Sequence, residues 1–156
     1  MSRKQAREDY NDLMAKRTER LTYLRDLLAT NGVELNYSDE SIQQVNDWLR
    51  ENVEVSPYDP RRMGDTWYAV VLDLGLFLGE ALLARVDHLR WALHIWGKAH
   101  FDYQRHVIAG FTNTPIKNYT VNLDGIVSVH GHRIIQDLDV EPDEFLRVIN
   151  SCLNKA

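Results

Sequence analysis

The 156-residue chain has a single cysteine, Cys152, so it can form no internal disulfide and holds no zinc-finger spacing. That cysteine lies in an apolar helical pattern and reads as a small buried residue. Long apolar runs are also missing. The longest, Trp67 to Leu78, is broken by Asp73 and followed by Glu80, which is too short for a membrane span. Residues Met1 to Asp9 are charged, with no apolar segment behind them, unlike a signal peptide. A soluble protein in the cytoplasm is the expectation. The sequence contains no G-x-S-x-G, P-loop or G-x-G-x-x-G motif. Nucleophilic serine or cysteine chemistry therefore lacks support, and no cofactor is expected. The formal net charge of −5 leaves no overall basic surface, which argues against nucleic acid as the main partner.

Apolar residues, by contrast, are plentiful. They make up 44% of the chain, with four Trp, seven Tyr and four Phe, enough to build one core. The expectation is one domain over residues 1–156, with 1–34 an N-terminal helix free to protrude.

Residues 3–30 carry apolar side chains at helical spacing (Tyr10, Leu13, Met14, Leu21, Leu24, Leu27, Leu28), and Asn31-Gly32 supplies the stop. Ser38 reads as an N-cap, with Asp39 and Glu40 in a favourable first turn. Ile42, Val45, Trp48 and Leu49 then share a face of a helix reaching about Asn52. Pro57, Pro60 and Gly64 mark a loop. Residues 67–86 predict a central buried helix capped by Asp65 or Thr66. Gly75 and Gly79, four apart, leave one face open to close approach by another backbone, or to a ligand.

After Asp87 the periodicity changes to two. Leu89, Trp91, Leu93 and Ile95 predict a strand, Gly97 to His100 a turn, and Arg105 to Phe111 its antiparallel partner. Asp124-Gly125 is a turn signal, and Ile126 to His130 reads as a third strand or a short helix. Pro142 opens a last helix with an apolar face of Phe145, Leu146, Val148, Ile149 and Leu153. The predicted class is α+β: three N-terminal helices, a small antiparallel sheet of two to four strands, and a C-terminal helix.

Tyr37-Ser38-Asp39-Glu40-Ser41, the segment Leu74-Gly75-Leu76-Phe77-Leu78-Gly79-Glu80 and the Trp91-bearing strand together resemble a loose group of small bacterial proteins of unknown function. In that group a Y-S-x-x-S helix precedes an L-G-x-x-L-G-E helix and a Trp-bearing strand. The resemblance covers residues 35–112 and implies no activity and no catalytic residues. Small acidic bacterial proteins of this kind include immunity and antitoxin partners of secreted toxins.

Three groups of residues could carry function. His130-Gly131-His132 would place both rings on one face of a strand, within reach of one metal, with Asp137, Asp102 or His106 as a third ligand. Glu80, inside the most apolar helix, must reach solvent, pair with Arg85 or Arg90, or be buried with a raised pKa. Asp73, seven residues earlier on the same side, completes a carboxylate pair of the kind hydrolases use. Finally, Asp137, Asp139, Glu141, Asp143 and Glu144 form an acidic run suited to docking a basic partner. The preferred expectation is a non-enzymatic protein-binding module, of the immunity type, that neutralises a basic toxin. The alternatives are a small metal-dependent or carboxylate-based hydrolase and a homo-oligomeric scaffold.

Overall fold

A computed structural model describes all of residues 1–156. Five helices and one two-stranded antiparallel sheet make an α+β fold: α1 (Arg3–Thr30), α2 (Asp39–Asn52), α3 (Asp65–Arg85), β1 (Arg90–Leu93), β2 (His106–Ala109), α4 (Leu123–Ile135) and α5 (Glu144–Lys155). The helix order differs from expectation, because two helices follow the sheet.

The first two helices begin on serine caps. The Ser2 hydroxyl accepts from the Gln5 amide at 3.1 Å, and that of Ser38 from the Ser41 amide at 3.1 Å. Gly32, at φ +76°, ends α1 in the left-handed region. The cap of α3 is Gly64, not Asp65 or Thr66, and no side chain caps that end.

α3 is the core helix. It is apolar over most of its circumference, and α1, α4 and α5 pack on it. By length and composition alone its 21 residues are enough to cross a membrane, contrary to the shorter run read from the sequence. Here its residues from Leu74 to Leu82 are almost all buried in the protein core. The two glycines on its surface receive different neighbours. A Cβ on Gly75 would lie 2.8 Å from the backbone of Asp124 at the start of α4, and one on Gly79 would collide with the Trp91 ring. The open face is therefore filled by packing.

Trp91 pairs with Ile108 in the hairpin, whose connection runs from residue 94 to residue 105, longer than the turn expected at Gly97 to His100. Beyond the two strands the sheet gains only a single bridge, between Ile108 and Val121.

The segment Ile126 to His130, read as a third strand or a short helix, lies within helix α4. Asn122 sets its start: the side-chain oxygen accepts from the Gly125 amide at 3.0 Å. Leu123, Val127, His130 and Gly131 are the residues it buries, a helical spacing that outweighs the β-branched Ile126, Val127 and Val129.

α5 closes the core with Phe145, Ile149 and Cys152. Its register depends on Asn46 of α2, which is fully buried. The Asn46 amide donates to the Pro142 carbonyl at 2.9 Å and accepts from the Phe145 amide at 3.1 Å.

Candidate functional site

Helical geometry takes the His130/His132 pair apart. Residues two apart on a helix point about 200° from each other, so the rings cannot share a metal. His130 is buried against Phe145, with ring centroids 5.8 Å apart. His132 lies 3.1 Å from the Tyr68 hydroxyl through Nε2 and 2.8 Å from the Ser128 carbonyl through Nδ1. The suggested third ligands do not join them, and no three His, Cys, Asp or Glu side chains come together to hold an ion.

Asp73 and Glu80 do face one side, and that side is α1. Arg20 donates to Asp73 at 2.7 Å, and Arg17 pairs with Glu80, rather than the expected Arg85 or Arg90. Arg85 instead bonds Asp39 and the Tyr37 carbonyl. Burial raises the pKa of Asp73, with Arg20 opposing the shift. Each carboxylate is occupied by a guanidinium, and the two serve as the electrostatic seam between α1 and α3.

The acidic run is divided. Asp137 adopts φ +57° as the chain leaves α4, and its amide donates to the Ile134 carbonyl. Asp143 accepts from Arg147 at 2.6 Å at the start of α5. These two are used locally. Glu141 also meets Arg147, at 3.4 Å, but with Asp139 and Glu144 it lines an open groove of about 1190 Å³ along α4.

The opposite end of that groove is built by Asp102, considered from the sequence only as a metal ligand, and by Asn122 and Asp124, which the sequence did not mark as a site. Asp102, from the hairpin connection, is buried, and its Oδ1 accepts from the Asn122 side chain at 3.0 Å. Asn122 thus holds Asp102 with its nitrogen and caps α4 with its oxygen. Asp124, in the first turn of α4, stands 3.7 Å from Nε2 of His106. Burial lowers the His106 pKa, and the attraction of Asp124 works against it. The Phe101 ring is 85% exposed at this end. The available signal was the Asn122-x-x-Gly125 cap, which fixes α4 and with it the side on which Asp124 emerges.

Five carboxylates (Asp102, Asp124, Asp139, Glu141, Glu144) thus meet two guanidiniums, Arg105 and Arg133, in one groove. Arg133 is engaged with the Asp139 carbonyl at 3.1 Å. Exposed Phe101 and Val129 add apolar surface to the same walls. Such a surface attracts cations and stacks on them.

The chain matches no family model, no curated protein and no solved structure.

Proposed function

We propose that this chain is a non-enzymatic protein-binding module that takes a basic partner in the groove along α4. The observation behind the proposal is the excess of carboxylates over guanidiniums among the residues that line this groove. Complementary potential of this kind speeds encounter and selects partners by charge. A secreted basic toxin fits this chemistry, and an immunity-type role in the cytoplasm is its specific form.

The test is affinity capture from the source cells at low salt, with the tagged chain and a D139N/E141Q/E144Q variant. The reading expects a basic protein retained by the first, lost in the second and released by salt. Equal capture by both baits, or an acidic partner, would overturn it.

A further inference from the structure

The groove is polarised along α4. Asp102 and Asp124 stand at its start, where Asn122 ties the hairpin connection to the helix. Asp139 and Glu144 stand at its far end: Asp139 is bonded through its carbonyl to Arg133, and Glu144 precedes Phe145, whose ring packs on His130. From Asp124 to Arg133 the helix rises about 14 Å. Two acidic ends are therefore separated by roughly the distance an extended chain covers in four residues, about 13 Å.

A second observation at the far end is independent of charge. His130 lines the groove and is only 4% exposed, yet its Nε2 has no hydrogen-bond partner. Buried polar atoms of this kind are rare and costly when left unpaired. Burial, reinforced by Arg133 and Arg50, lowers the pKa of the ring, so it is neutral at pH 7 and one ring nitrogen can accept. At the near end, Asp102 is 4% exposed and bonded through Oδ1 alone. Beside it the bare Phe101 ring offers a face for a cation.

From these positions we infer that the groove holds an extended polypeptide segment of the partner carrying two basic side chains four residues apart, one at Asp102 and Asp124 under Phe101, the other at Glu144 and Asp139 beside His130. The inference rests on the reading of this groove as the site for a basic protein, and adds the form of what it recognises. An extended backbone is favoured because the groove offers carboxylates at both ends and the apolar Val129 between them. A flexible polyamine shares the cations but presents no backbone or side chains to Val129 and Phe101.

The experiment is a titration of the full chain with three fluorescently labelled glycine–serine peptides of nine residues. One carries two lysines four apart, one two adjacent lysines, one a single lysine. Spermine serves as competitor, and native melting curves verify the fold of every variant. The spaced peptide is expected to bind about tenfold tighter than the adjacent one, a difference of about 1.4 kcal/mol. D102N and E144Q should each weaken it about fivefold, and the exposed α1 variant E8Q/D12N should leave it unchanged. H130Q, where it melts like the parent chain, should weaken the spaced peptide and leave the single-lysine peptide bound at the near end.

Equal affinity for the spaced and adjacent peptides, no binding of any peptide, or spermine binding as tightly as the spaced peptide would each overturn the two-ended segment. The wider reading fails by a different result, namely equal capture of partners by the parent chain and D139N/E141Q/E144Q.

Discussion

Gly79 lies directly beneath the ring of Trp91, closer than any Cβ could come. A helix and a hairpin strand are thereby locked at a spacing only glycine permits. Gly79→Ala must push the indole away or shift β1, and overpacking of this kind costs about 1–3 kcal/mol. Chemical denaturation should show that loss together with a changed tryptophan emission. An unchanged midpoint would mean the ring moves freely.

The α1–α3 seam should respond unequally to its two partners. Asp73 has its pKa raised by burial, so its ionised form is less well solvated in the fold than in the unfolded chain. Asp73→Asn is expected to leave stability unchanged or to raise it at pH 7. Arg20→Met removes the cation, leaves a half-buried carboxylate unpaired, and should lower the melting temperature. The reverse ranking of the two variants would contradict this account.

Acid should weaken the fold through histidine. His94, His106 and His130 all have pKa values held below 6.5, in each case chiefly by burial. The unfolded chain therefore binds protons that the folded chain refuses. Stability from these groups is complete above pH 6.5 and declines as pH falls from there toward their folded values. Urea midpoints measured from pH 7.5 down to pH 5 should fall, and H130Q, which removes one contributor, should show a shallower slope. Asp73 works in the opposite sense, since its raised pKa favours the protonated fold, but only in the more acidic carboxylate range.

Cys152 should be inert in the native state. It is buried in α5, and burial pushes its thiol up to about 11. A thiol reagent at pH 8 should react only after denaturant is added. Rapid labelling of the native protein would place α5 away from the core.

Asn46→Ala should be among the costlier single changes in the molecule. It strands the buried Phe145 amide, which costs about 1–3 kcal/mol, and takes one of two donors from the Pro142 carbonyl, which keeps Gln43 at 2.9 Å. Asn46→Asp retains only the acceptor for Phe145 and should fall between the two.

Much of the architecture could be read from local chemistry. Ser38 and the Asn31-Gly32 stop set the ends of helices because capping involves neighbours within a few residues. The alternation around Trp91 identified a strand because one face of it is buried. The segment at 126–130 resisted reading: its β-branched residues suit a strand, and the Asn122 cap with its helical buried spacing settled on a helix. That one element decided the fate of the His130/His132 pair, which shares a face on a strand and splits on a helix.

By itself the sequence determined the α+β class, the bounds of α1 and α2, and the supply of carboxylates near residues 137–144, since composition, caps and periodicity are local properties. Only the tertiary structure decided what those charges do. It matched Asp73 and Glu80 with arginines about sixty residues away. It kept Asp137 and Asp143 for local bonds, set Glu141 beside Arg147, and joined Asp139, Glu141 and Glu144 to Asp102 and Asp124 across one groove. Coulomb energy and desolvation depend on distance in space. For residues far apart in the chain, that distance exists only once the core around α3 has packed.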